Sequence, residues 1–128
     1  MIRLLALFGT LAWISSCTPK TQHELVGQWK MTAVYFDIGN GTGSYQDATE
    51  DKHLTFAGDG TVVSDGSLCN MATGPAEVQE GTYSTEDMTI QTEGCAQSMP
   101  LRMELKNNEL EVFYPCIEPC SEKYRKVE

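Results

Sequence analysis

The chain has 128 residues, one domain's worth, with 9 Lys+Arg against 18 Asp+Glu and a formal charge of −9. That balance argues against a nucleic-acid binder, which needs a basic face to neutralise phosphates, and against docking on anionic lipid through a polybasic patch. With 41% hydrophobic and 9% aromatic residues, the chain has enough apolar material to fold.

Arg3 begins the chain with a short positive segment, and residues 4–14 are almost wholly apolar. That run falls short of the roughly 20 residues a membrane-spanning helix needs and fits the hydrophobic core of a secretory signal. Ile14-Ser15-Ser16-Cys17 follows. This sequence resembles the lipobox of bacterial lipoproteins: an aliphatic residue, two small ones, then cysteine. The resemblance implies a signal peptide over 1–16, cleavage before Cys17, and acyl chains on Cys17 that anchor the chain in a membrane. Several acyl chains hold where one would be marginal. Residues 17–25 are expected to form a lipidated tether, polar from Thr18 to Glu24 and containing Pro19. Thr18 is not the aspartate that resembles an inner-membrane retention signal. The implied destination is the outer membrane of a Gram-negative envelope, on its periplasmic face because the tether lacks an acidic run.

Beyond the tether, alternation of apolar and polar residues dominates, with turn signals every 8 to 12 residues or so. The predicted fold is all-β, an eight-stranded antiparallel up-and-down barrel over residues 26–128. The first strand covers 28–37, with Trp29, Met31, Ala33 and Tyr35 on one face. The second covers 52–57 with Leu54 and Phe56 inward, and Gly58-Asp59-Gly60 turns the chain into the third at 61–64. Strands at 81–84, centred on Tyr83, and at 88–92, with Met88 and Ile90 inward, come next. The strand over 101–106 alternates Leu101, Met103 and Leu105 against Arg102, Glu104 and Lys106. Asn107-Asn108 turns into 109–114, with Leu110, Val112 and Tyr114 inward, and the last strand covers 122–127. In a meander the two- or three-residue turns then fall at one end and four longer loops at the other.

All four remaining cysteines, Cys69, Cys95, Cys116 and Cys120, fall in those longer loops. An even number in a small exported domain reads as two disulfides. A zinc site built from the four thiolates fits less well, because Cys116 and Cys120 are the only close pair and the compartment is oxidising. Cys116 and Cys120 flank three residues of one hairpin loop and can close on each other, which leaves Cys69 for Cys95.

Gly27-Gln28-Trp29 matches the G-x-W motif that begins lipocalins. Leu54-Thr55-Phe56, Asp59-Gly60-Thr61, Gly81-Thr82-Tyr83 and Met88-Thr89-Ile90 follow in the order seen in bacterial lipocalin-like lipoproteins. Tyr124-Arg125 is similar to the terminal segment whose basic residue packs across the motif tryptophan. The resemblance covers nearly all of 26–127 and implies a barrel that binds a small apolar molecule without catalysis, with Gly27, Trp29 and Arg125 as its structural motif. A second resemblance, of Cys69-Asn70, Gly81-x-Tyr83 and Thr92-Glu93-Gly94-Cys95 to the META domain, implies an envelope protein that binds another protein and no small ligand. That family carries a helix after its second cysteine, and only residues 96–100 are free for one here.

A small-ligand pocket at the long-loop end would be lined by Tyr35, Leu54, Tyr83, Met103 and Tyr114, apolar with a few polar tips. The alternative is that these five residues are plain core, since an eight-stranded barrel can be filled by side chains alone. The glycine-rich stretch from Asp37 to Gly43 matches no calcium loop and, with no strand–helix context, no phosphate loop. His53 alternates outward with Thr55, and no nucleophile elbow is present, so no catalytic residue, cofactor or metal site is expected.

Overall fold

The alternation becomes a barrel because the last strand pairs with the first. The computed structural model describes residues 20–71, 77–96 and 99–128. The segment expected to be a signal peptide, 1–16, and Cys17 lie outside the described residues. A short helix, α1 (Lys20–Leu25), precedes β1 (Gly27–Phe36), β2 (Ser44–Asp47), β3 (His53–Phe56), β4 (Thr61–Ser64), β5 (Gln79–Ser84), β6 (Thr89–Thr92), β7 (Leu101–Lys106), β8 (Glu109–Phe113) and β9 (Cys120–Lys126). Each of β3 to β9 pairs antiparallel with the next, and β9 pairs back along β1 from Trp29↔Lys126 to Phe36↔Cys120. The result is a closed eight-stranded antiparallel barrel with one extra strand.

The extra strand is β2, which alternation alone did not reveal because all four of its residues are exposed. β2 and β3 lie along one edge of β1, opposite Ala33–Phe36 and Gly27–Lys30 respectively. Backbone bonds from Met31 N to Lys52 O (2.8 Å) and from Ala48 N to Thr32 O (3.0 Å) carry the pairing across the break between them. Together they occupy one position in the wall.

β1 is not a uniform strand. Its register against β9 slips between Met31 and Ala33, so Thr32 is an inserted bulge residue. One extra residue reverses the facing of everything after it, because side chains alternate with period two. Trp29 and Met31 point inward, as expected. Past the bulge Val34 packs against the core, while Tyr35 turns out and stacks at 5.1 Å on Tyr45. Tyr35 is therefore on the outer wall and not in the barrel, contrary to the sequence expectation.

One end of the barrel is tight. Asn107 and Asn108 both adopt positive φ (51° and 60°), as a two-residue hairpin turn that follows the strand twist requires. Met88 also has positive φ (51°) and belongs to the turn before β6. α1 closes this end. Leu25 is fully buried, the Trp29 indole donates to Leu25 O (2.8 Å), Gln22 Nε2 donates to Gly58 O (2.9 Å) and Lys126 Nζ donates to Glu24 O (2.8 Å). Part of the segment read as tether is thus built into the domain, because Leu25 supplies an apolar plug beneath Trp29. Gly27, at φ +130°, is a position where a Cβ would sit 2.9 Å from the Lys126 side chain, so the motif glycine makes room for β9.

The basic residue over Trp29 is Lys126, with its ammonium 5.6 Å from the ring centroid, and not Arg125. Tyr124 is buried in the interior, so its neighbour Arg125 must face out, where it lies 3.8 Å from Glu109. The motif was read one residue early.

Leu25→Ala tests whether α1 belongs to the core. Truncating a buried leucine costs about 2–5 kcal/mol, so urea unfolding followed by Trp29 fluorescence should show a loss in that range. A loss under about 1 kcal/mol, the size of a surface change, would show that α1 is merely laid against the barrel.

Candidate functional site: the loop-rich end

The opposite end of the barrel carries the four long connections, and described residues of these loops pack onto the core there. The β4–β5 loop folds over the mouth and buries Leu68 completely. Its Ser67 carbonyl accepts a hydrogen bond from Lys52 Nζ (2.6 Å). Lys52 reaches that carbonyl from inside the barrel, and its ammonium lies 2.8 Å from Glu122 Oε2. The two side chains are 6% and 5% exposed, so this ion pair is buried. The same carboxylate oxygen accepts hydrogen bonds from Tyr114 Oη (2.7 Å) and Tyr124 Oη (2.5 Å), and Lys52 also donates to Tyr114 Oη (3.0 Å). Among the described residues no buried side-chain nitrogen or oxygen lacks a partner. A buried charge is tolerable only when it is paired and hydrogen-bonded in this way.

Burial raises the Tyr114 and Tyr124 hydroxyls well above their ordinary pKa, and the nearby Glu122 carboxylate pushes them further the same way. Both remain neutral donors across the physiological range.

Two disulfides brace this end. Cys69–Cys95 ties the β4–β5 loop to the β6–β7 loop, with Cα atoms 5.3 Å apart, and Cys116–Cys120 closes the β8–β9 loop at 6.0 Å. Both pairings are those expected from the sequence. They meet at a cleft of about 240 Å³ lined by Cys69, Cys95, Cys116, Tyr114 and Pro115. The β1–β2 loop adjoins the β8–β9 loop, since a Cβ on Gly39 would stand 3.4 Å from the Glu118 carboxylate. The four loops therefore form one continuous surface.

That surface is apolar at its tips. Ile117 is fully exposed and Ile38 is 88% exposed, and they project from these two adjoining loops. Phe36 at the rim of β1, Val78 and Met99 are exposed at the same end. Of the large hydrophobic side chains exposed on the described surface, only Tyr45, on the outer wall, and Val127, at the tight end, lie elsewhere.

The five residues proposed to line a pocket do not converge. Leu54 and Met103 are packed inside the core, 0% and 2% exposed. Tyr83 lies at the tight end, edge-on to Phe56 at 5.0 Å and donating to Ala57 O (2.6 Å); burial raises its pKa. Tyr35 faces outward. Tyr114 alone reaches the loop-rich cleft. The residues that define this end, Lys52 and Glu122 within and Ile38 and Ile117 without, were not singled out from sequence. Lys52 and Glu122 begin the strands expected from sequence, in an alternating pattern where charges ordinarily face solvent. The isoleucines sit in loops that carry no periodicity.

His53 is held by Asp65, with Nδ1 2.9 Å from Oδ2, and its Nε2 lies 3.8 Å from Asp51 Oδ1. No nucleophile hydrogen-bonds to it among the described residues. No group of three His, Cys, Asp or Glu side chains there is placed to hold a metal ion. A cleft of about 690 Å³ lies at the tight end beside Trp29, Leu105, Arg125 and Lys126. No family model, curated protein or solved structure matches the chain.

Removing either charge of the buried pair leaves the other uncompensated. Lys52→Met and Glu122→Leu should each cost about 3–5 kcal/mol. The double variant should cost less than their sum, with a coupling of at least about 1 kcal/mol in urea melts. Additive losses would contradict mutual dependence. The tyrosines set a pH dependence of known sign. Their folded pKa values lie above the unfolded value of about 10, so the folded state keeps protons that the unfolded state releases. Stability is then unaffected by these groups below about pH 10 and falls above it, by about 1.4 kcal/mol per pH unit for each tyrosine. Tyr114→Phe should make the alkaline slope shallower, and an unchanged slope would show that Tyr114 does not contribute.

Proposed function

We propose that this chain is a bacterial envelope lipoprotein of the lipocalin-like kind, anchored through acylated Cys17 to the periplasmic face of the outer membrane. Its barrel acts as a non-catalytic binding module whose working surface is the loop-rich end. The partner at that surface is another envelope protein. One observation carries this choice: Leu25 and Leu68 are fully buried at the two ends of the barrel, while the loop tips expose Ile38 and Ile117. An interior that held an apolar ligand would have to displace packed side chains such as Leu54 and Met103. Exposed apolar residues gathered on one face are what a docking surface needs.

The anchor is compatible with that surface being presented. α1 is fastened to the tight end. Only Thr18 and Pro19 separate Cys17 from Lys20, three links that reach at most about 11 Å. The acylated residue would therefore hold the tight end to the membrane and leave the loops at the far end. A small-molecule role finds support in the cleft of about 240 Å³ between the disulfides. That is below the roughly 300–1,000 Å³ of common ligand sites and suits only a small molecule.

The test uses the processed chain extracted from membranes. Cys17→Ala should release the protein from the membrane fraction. Native mass spectrometry should give the acylated polypeptide, lighter by four hydrogens for two disulfides, with no further mass lost on denaturation. A photo-crosslinker at position 117 should capture a discrete protein in intact cells, and one at position 104 on the barrel wall should not. A small molecule leaving on denaturation, with no crosslink at 117, would overturn the protein-docking role in favour of ligand carriage.

A further inference from the structure

Every Lys and Arg of this chain lies outside the four long loops. Residues 37–43, 65–78, 93–100 and 114–119 contain Asp37, Asp65, Glu77, Glu93 and Glu118 and no Lys or Arg. Beneath them Lys52 is buried against Glu122 and presents no charge to solvent, and Arg102, at the start of β7, is paired with Glu104 on the barrel wall. Two of the five acids are engaged within the fold. Asp37 Oδ1 accepts three backbone N–H groups of its own loop, at 2.8 to 3.2 Å, and Asp65 holds His53. The other three, Glu77, Glu93 and Glu118, are exposed. Glu118 stands next to Ile117 in one loop, and Ile38 next to Gly39 in the loop against it. The apolar tips are thus bordered by uncompensated negative charge.

We propose that the loop-rich end docks a cationic, amphipathic polypeptide segment, with apolar side chains set on Ile38 and Ile117 and Lys or Arg set against Glu118 and Glu93. This rests on the loop-end docking role above and specifies its partner's chemistry. A hydrophobic contact supplies the affinity, and the acidic border selects against acidic partners, since juxtaposed like charges are costly in an interface. A second copy meeting loop end to loop end would bring acid against acid. An apolar small molecule would leave the acidic border without a role. Exposed carboxylates act only across about a Debye length, near 8 Å at physiological salt, so the basic groups of the partner must lie in the contact itself.

The experiment measures binding of fluorescent synthetic peptides to the processed full chain in detergent. Three helical peptides of equal length serve as probes, each with one face at i, i+3, i+4 and i+7: a Leu face with Lys elsewhere, a Leu face with Glu elsewhere, and a Ser face with Lys elsewhere. The Lys/Leu peptide should bind at least tenfold more tightly than either other peptide, and its affinity should fall as salt rises. Ile38→Ser with Ile117→Ser should weaken it at least tenfold, and Glu93→Gln with Glu118→Gln several-fold. Glu86→Gln with Asp87→Asn, in the exposed turn at the other end, should change nothing. All these positions are exposed, and thermal melts of each variant confirm that folding is kept.

Equal binding of Lys/Leu and Glu/Leu peptides, lost in the isoleucine variant, would leave the loop end a docking face but overturn the cationic partner. Equal weakening by the tight-end acids would show general charge attraction and overturn the proposal. Binding of no peptide would overturn it too, and the crosslink at position 117 would then decide separately whether the docking role stands.

Discussion

The ion pair between Lys52 and Glu122 is the constraint on which the barrel's upper half depends. Lys52 precedes β3, Glu122 lies in β9, Tyr114 follows β8, and Ser67 belongs to the β4–β5 loop. These four segments must all be in place before either charge is satisfied. A one-residue slip of β9 would turn Glu122 outward and leave Lys52 buried alone, at a cost of several kcal/mol. The pair therefore does more for register than for net stability, because well-packed apolar residues could replace it at little cost. It also decides what the barrel can hold. The space below the mouth, which in a ligand carrier would be open, is filled by two tyrosines, a lysine and a glutamate, under Leu68.

With the interior closed, the disulfides acquire a second consequence. They tie the β4–β5 loop to the β6–β7 loop and close the β8–β9 loop on itself. A chain-entropy estimate gives the Cys69–Cys95 link about 3.5 kcal/mol and the Cys116–Cys120 link about 2 kcal/mol, following the 26- and 4-residue separations. The β8–β9 loop so closed carries the exposed Ile117 without that contact first having to order the chain, which lowers the entropic cost of association. The loop-rich end is thus the surface proposed for binding, with the tight end and α1 left for the proposed attachment.

Much of this fold was legible because each strand wears its environment. Leu101, Met103 and Leu105 alternate with charges, and β7 begins and ends at the residues expected. Asn107-Asn108 announces its turn through residues that tolerate positive φ. What alternation could not show was a change of phase. The bulge at Thr32 has no local signature, and it moved Tyr35 from the interior to the wall. The same one-residue arithmetic put Arg125 where Lys126 stands. β2 escaped because a strand exposed on both faces has no apolar period to display. Lys52 and Glu122 read as surface charges, since only the closed topology brings residues 70 apart together.

Binding on the loop-rich surface and not inside the barrel is what we propose. Methyl-resolved NMR of the processed chain, titrated first with a fatty acid and then with a Lys/Leu peptide, tests it directly. The fatty acid should leave the interior methyls of Leu54, Met103 and Val112 unshifted, and the peptide should shift those of Ile38 and Ile117. Saturable shifts of the interior methyls with the fatty acid, and silence at the two isoleucines, would contradict it.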